Sequence, residues 1–306
     1  MGQDTSRNVQ QTSLIKMNQY NPSFEIIDAI PDYAAYQTLK TKVIGETYDV
    51  SAAKRGLENT DFAVHAMDGG KLVGFARVIS DRGLWYYLTE ETIDTEHPEP
   101  DQIRTAMIKQ LVDHFYKVSP PGGYMMAMSD KPDLYQTGGM KLLDPPERGF
   151  WVQQTDEPNP FPKPSDDLGP GYDVIYEMVD AETFLKFREI GKLGKKDLAA
   201  THVSVERTPF AVQVLYEGEC VAFCRTMHDG GLCYHMADGV VLPDHQASGI
   251  GKFFVSRQIY EFFKMAPTGA HYLAFTWAGE FALKSGFEEL PENYVGLWAW
   301  QPFDAT

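Results

Sequence analysis

Apolar and polar positions change their spacing along the chain in a recurring way. Phe210–Tyr216 and Glu219–Met227 are short runs rich in apolar residues, joined at Glu217-Gly218, and predict two antiparallel strands of a hairpin. A further strand is predicted at Leu232–Leu242. After Gly249 the interval lengthens to about 3.6, with Phe253, Phe254, Ile259, Phe262 and Phe263 on one helical face. A strand near Tyr172–Val179 and a helix over Ala181–Leu193 precede these elements. A strand at His271–Trp277, a short helix around Phe281–Lys284 and a strand at Tyr294–Gln301 follow. The first half gives the same order, its long helix running over Gln102–Val118. The pattern predicts an α/β (α+β) protein in which a mixed, mostly antiparallel sheet carries helices on its faces.

The two halves also share residues. Val73, Phe75, Arg77, Asp81, Gly83, Leu84 and Tyr86 return as Val221, Phe223, Arg225, Asp229, Gly231, Leu232 and Tyr234, each 148 positions later. Phe62-Ala63-Val64 returns at Phe210 with the same interval. So many matches without a gap indicate two tandem copies of one domain. A polar tail is expected over residues 1–22, the first copy over 23–153, a proline-rich linker over 154–171 and the second copy over 172–306. The linker holds five prolines by Pro170, which disfavour helix and central strand.

Charge narrows the classes of partner. The chain has 306 residues, with 27 basic against 43 acidic side chains and a net charge of −16. General attraction to nucleic acid or an anionic membrane is not expected, and amine-bearing substrates suit the charge better than anionic ones. No run reaches the roughly 18–20 apolar residues of a membrane span. Cys220, Cys224 and Cys233 make no disulfide framework, and Cys-x-x-x-Cys on a strand lacks zinc spacing, so buried thiols, no metal and a cytoplasmic location are expected.

Between the strand ending at Leu242 and the helix beginning near Ile250 lies Pro-Asp-His-Gln-Ala-Ser-Gly-Ile-Gly-Lys. Glycines at 249 and 251 let backbone approach a ligand, and the free amides of a helix start favour a phosphate or pyrophosphate. Lys252 adds a positive charge. Gln246-Ala247-Ser248-Gly249-Ile250-Gly251 resembles the Gln/Arg-x-x-Gly-x-Gly/Ala signature of the GCN5-related N-acetyltransferase (GNAT) superfamily. The preceding Asp238–His245 stretch and the later Ser285-Gly286-Phe287 resemble that superfamily too, and the repeat extends the likeness over roughly residues 24–300. The resemblance implies two tandem GNAT-like domains and an acyltransferase using acetyl-CoA to acylate an amine of a small molecule. It implies that Gln246, Ala247, Ser248, Gly249, Ile250, Gly251 and Lys252 hold the pyrophosphate, and that backbone of Val240, Val241 and Leu242 pairs with the pantetheine arm. Another acyl donor on the same fold, or a non-catalytic CoA-binding protein, is the alternative. Oligomeric state stays open, with the two copies able to act as a pseudo-dimer.

The first copy departs from the signature. Its register puts Pro98-Glu99-Pro100-Asp101-Gln102-Ile103 at the turn. Two prolines remove amide donors. Each acidic group would repel a pyrophosphate by about 3 kcal/mol per unit charge at about 6 Å and an effective dielectric near 20. This copy is expected to have lost the donor site.

Members of the superfamily often carry a tyrosine four residues before the late glycine, to protonate the leaving thiolate. The first copy has Tyr135 there and the second has Ala282. Tyr272, Tyr294 or solvent is left to take that role. Strand alternation places Tyr234, Met236 and Asp238 on one face and Cys233, His235 and Ala237 on the other. Asp238, expected to have a raised pKa beside an apolar acyl arm, is the first candidate for the general base, with a structural cap as its alternative. Glu280 is the next, and His235 and His228 follow.

Overall fold

The computed structural model describes residues 22–303 apart from 46, 47 and 146; most of the expected polar tail lies outside the described residues. The first copy runs β1 (Glu25–Ile27), α1 (Tyr33–Ile44), α2 (Val50–Glu58), β2 (Phe62–Asp68), β3 (Lys71–Ser80), β4 (Trp85–Ile93), α3 (Pro100–Val118), β5 (Tyr124–Ser129), α4 (Pro132–Thr137), β6 (Lys141–Leu142) and β7 (Arg148–Gln153). The second runs β8 (Tyr172–Ile175), α5 (Ala181–Ile190), α6 (Leu198–Glu206), β9 (Phe210–Tyr216), β10 (Glu219–His228), β11 (Cys233–Val241), α7 (Ile250–Met265), β12 (His271–Thr276), α8 (Gly279–Lys284), β13 (Glu288–Glu289) and β14 (Val295–Trp300). The β2–β3 and β9–β10 hairpin turns are of the tight kind with two positive φ angles, at Gly69-Gly70 and at Glu217-Gly218. The helix expected over Ala181–Leu193 ends at Ile190, and α6 and its first-copy counterpart α2 are additions that the pattern does not indicate.

Two mixed sheets result, in the orders β1-β2-β3-β4-β5-β14-β6 and β13-β7-β12-β11-β10-β9-β8. The sequence repeat assigns β7 to the first copy and β14 to the second, but the sheets exchange them. β14 pairs with β5 in the first sheet, Leu297 opposite Ala127. β7 pairs with β12 in the second, Phe150 opposite Ala274. The exchanged strands approach each other through Gly149 and Gly296, where a Cβ would come within 3.1 and 2.8 Å of the Phe275 ring.

The recurring Arg–Asp–Gly residues hold the copies together. Arg77 donates to Asp229 at 2.7 Å, and Arg225 donates to Asp81 at 3.0 Å, so each arginine reaches the other copy's aspartate. Asp81 and Asp229 also accept backbone amides of their own turns. Gly83 abuts the backbone of α6 and Gly231 that of α2; a Cβ at either would lie 2.3 Å from a carbonyl oxygen, of Ala200 or Ala52. Such reciprocal contacts are what a two-fold relation between copies produces. Between the sheets Ile79, Trp85, Tyr87, Met227, Cys233 and Leu273 form one shared apolar cluster. The linker is irregular but packed on the second copy, with Phe161 against Phe263 and Asp166 paired with Arg257.

Candidate active site

β11 and β12 are parallel neighbours only from Cys233↔His271 to Met236↔Ala274. The cause is a bulge. β10 pairs Thr226 with Met236 and Arg225 with Asp238, which leaves Ala237 as an extra residue on β11. A bulge bends its strand and breaks strict alternation. The two strands therefore diverge beyond Met236, and the edge of β11 facing β12 is left without a ladder over its last residues. A cleft of about 800 Å³ opens there, floored by the diverging strands and reaching Val241, Gln246 and Gly251.

The turn after β11 closes one end of this cleft. Pro243–His245 form one short 3-10 turn, Ala247 has φ 61°, and Gly249 has φ 92° just before α7. A side chain at Gly249 would point into open space, so its left-handed backbone is the reason for glycine there. Among the described residues no side chain caps α7, and no acidic residue lies in its first turn. Its first amides are left for an anion, with the helix dipole aligned to favour one. Gln246 donates to the Val241 carbonyl at 3.1 Å, Ser248 Oγ donates to the His245 carbonyl, and both bonds hold the turn in shape. Ile250 is buried as the anchor of the helix, while Ala247, Ser248 and Lys252 are exposed. Val240 is buried on β11 and Leu242 donates its amide to Val221, away from the cleft.

Asp238 does not have the raised pKa expected of it. Burial alone would raise its carboxyl pKa, but Arg225 and Arg188 outweigh burial and hold it below the usual carboxylate range. Arg225 Nε donates to one oxygen at 2.7 Å and Arg188 Nη1 to the other. A carboxylate shared by two guanidinium groups is a poor proton acceptor. Glu280 stands exposed at the start of α8, paired with Lys284 at 3.3 Å, and does not line the cleft. Tyr294 leads into β14, which pairs in the first sheet, where the charges of Asp130, Arg104 and Glu91 act on it, and it does not line the cleft. Tyr272 is fully buried with its hydroxyl 2.6 Å from Thr226 and does not line the cleft. His228 does not line the cleft; its Nδ1 accepts the Gly230 amide.

Other groups do line it. His235 is buried against Trp85, Tyr87 and Phe275, both ring nitrogens lack a partner among the described residues, and burial lowers its pKa to about 3. Lys196 donates to the Gly122 carbonyl and lies 4.4 Å from the Tyr124 ring; burial lowers its pKa to about 7. Trp277 and Trp300 are 59% and 44% exposed, and Trp298 stacks on Trp300 at 6.0 Å. From the first copy come Tyr124, Met126, Leu143 and Glu147. Sequence reasoning missed these four because they enter the cleft only through the packing of the two copies and the exchange of strands. Among the described residues no cluster of side chains is suited to a metal ion, and no helix is long and apolar enough to cross a membrane.

Solved structures match this architecture over nearly the whole chain. A tandem GNAT protein from the clavulanic acid biosynthesis pathway superposes with a TM-score of 0.53 at 14% identity, over 91% of this chain and 98% of its own. A GCN5-related N-acetyltransferase from Sphaerobacter thermophilus gives 0.55 at 12%, over 90% and 96%. The glucosamine N-acetyltransferase region of a fungal multi-domain GH3 beta-N-acetylglucosaminidase gives 0.54 at 13% over 91% of this chain, which spans 38% of that protein. The chain has a tandem GNAT fold. No family model matches the sequence, and no curated protein matches it.

The first GNAT copy has the same bulge, with Arg77 opposite Glu90 and Val78 opposite Leu88, and Thr89 left over. Its cleft is filled instead of open. Glu91 stands where the second copy has Gly239, accepting from both Arg104 of α3 and the Tyr135 hydroxyl. Ile103, in place of Gly251, is buried against Gly74, where a Cβ would lie 2.7 Å away. Tyr135 is 1% exposed and belongs to this plug. Pro100 and Asp101 begin α3, as their sequence suggests.

Proposed function

We propose that the chain is an N-acyltransferase that uses acetyl-CoA and acylates an amine of a small molecule in the cleft of the second GNAT copy. The observation that carries this reading is the end of β11–β12 pairing at Met236/Ala274 beside an uncapped helix start. The diverging edge can pair with an extended amide-bearing arm, and the turn at Gln246–Lys252 can take a pyrophosphate. In the reaction the amine nitrogen bonds to the thioester carbonyl, the C–S bond breaks, and the thiolate leaves. Ala282 offers the thiolate no proton, so the attacking nitrogen, water or another group lining the cleft supplies it. That same alanine favours a second reading, binding of CoA without turnover.

Calorimetry with acetyl-CoA, followed by thiol release over a panel of primary amines, separates the two readings. One molecule of acetyl-CoA is expected per chain, because the first copy's slot is filled by Glu91, Arg104, Tyr135 and Ile103. Gly249→Asp should abolish binding by setting a carboxylate beside the pyrophosphate. Two equivalent sites per chain would contradict the assignment to the second copy.

A further inference from the structure

Resting on the acyltransferase reading above, we infer that Glu147 of the first copy is the general base that takes the proton from the acceptor amine in the second copy's cleft. The position follows from register. β7 enters the second sheet on the side of β12 away from β11, with Arg148 opposite Thr276 and Phe150 opposite Ala274. Glu147, one residue before Arg148, therefore stands level with the stretch where β11 and β12 have separated. It lines the cleft, half-buried, together with Tyr124, His235 and Phe275.

Its chemistry is that of an unused base. Asp238 has both oxygens occupied by arginines, and Glu280 stands outside. The Glu147 carboxylate has no hydrogen-bond or ion-pair partner among the described residues; only its backbone amide is engaged, donating to Asp144. Burial, and then the neighbouring Asp144, pushes its pKa up. The other charged groups around it do not neutralise it. Arg148 is committed to Glu289 at 2.8 Å, and Glu292 and Tyr294 line a smaller groove that Glu147 also borders. Across the cleft Arg188 is committed to Asp238 and Lys196 to a carbonyl, while Lys192 and Lys195 are exposed.

An ammonium acceptor gives one proton to Glu147, directly or through one water, and the freed nitrogen lone pair attacks the thioester carbonyl. The C–N bond forms and the C–S bond breaks. The second nitrogen proton passes to the departing thiolate, and Glu147 returns its proton to solvent. Through the strand exchange the filled first copy still serves catalysis, because it carries this carboxylate into its partner's site.

The test uses the full chain, acetyl-CoA, and thiol release with tyramine, spermidine and glucosamine, beside trifluoroethylamine, which is largely neutral at neutral pH. Glu147→Gln should lower kcat/KM at pH 7 by about 100-fold or more for the charged amines, within the usual range for a general base. It should leave acetyl-CoA affinity unchanged, affect trifluoroethylamine much less, and recover as pH rises and the amines deprotonate unaided. Asp144→Asn removes the neighbouring negative charge and should move the acid limb of the wild-type profile to lower pH. Equal kcat/KM and pH profiles for Glu147→Gln and wild type would overturn the role of Glu147 while leaving the acyltransferase reading intact. Acetyl-CoA binding without thiol release by the wild type would overturn both.

Discussion

At Asp238 the chemistry is decided by what lies opposite. Arg225 is its register partner on β10, and Arg188 reaches it from α5, 50 residues earlier in the chain. The repeat places Glu90, Arg77 and Lys40 at the same three positions of the first copy, with Lys40 at 2.5 Å and Arg77 at 2.8 Å from Glu90. Burial opposes ionisation of Glu90, yet the two cations lower its pKa to about 2. Two buried carboxylates, each between two cations, are structural centres on either side of the copy interface. Removing one charge from such a set typically costs about 3–5 kcal/mol, because the cations stay buried without it. Asp238→Asn is therefore expected to lower the midpoint of thermal unfolding by several degrees, measured by circular dichroism. A fall in kcat at unchanged stability would instead return Asp238 to the catalytic role. The pH dependence has a definite sign. Both carboxylates have folded pKa values below their unfolded ones, so their stabilisation is complete above about pH 4–5 and is lost as pH falls through the folded values. The residue type and strand position of Asp238 were legible in the sequence; Arg188 as its partner was not, because nothing local links α5 to β11.

Elements were more legible than their surroundings. The hairpin at Glu217-Gly218, the glycine turn and the long helices follow from local pattern, and observed boundaries fall within a few residues of those expected. The exceptions are α6 and its counterpart α2; the inner face of α6 consists of Ala200, Thr201 and Ser204. Small residues give weak periodicity, and they are small because the backbone of the other copy at Gly83 presses against them. The contrast between Gly239 and Glu91 also belongs to this scale, since one side chain decides whether the opening between two strands is a cleft or a core. Gly239 is exposed, and a Cβ there would make only ordinary contact, at 3.4 Å from Cys224 Sγ. Gly239→Glu should thus keep the fold and place a carboxylate in the slot, as Glu91 does. Loss of acetyl-CoA binding by at least about 100-fold in calorimetry, with an unchanged circular dichroism spectrum and unfolding midpoint, is the expected result; unaltered affinity would show that the arm lies elsewhere.

For the whole molecule, the exchange of β7 and β14 is invisible to local pattern, because each strand has the same alternation whichever sheet receives it. What the sequence did carry was the reason the copies stay together: each arginine that recurs at the 148-residue interval reaches the other copy's recurring aspartate, besides the carboxylate it pairs with in its own copy. With strands and ion pairs both crossing, neither copy is complete by itself. β14 covers the edge of β5 from Tyr124 to Ser129 and also carries β6, so deleting it removes the far side of the first sheet. A chain ending at Pro291 loses residues only from the second copy, yet it is expected to lose hydrogen-exchange protection first at Tyr124–Ser129 in the first, as an exposed sheet edge would. Wild-type protein should unfold in a single calorimetric transition, since the shared cluster around Trp85 and Cys233 couples the two sheets. Two separate transitions, or protection at Tyr124–Ser129 unaffected by the truncation, would mean that each copy closes its own sheet in solution, and Glu147 would then have no route to the second copy's cleft.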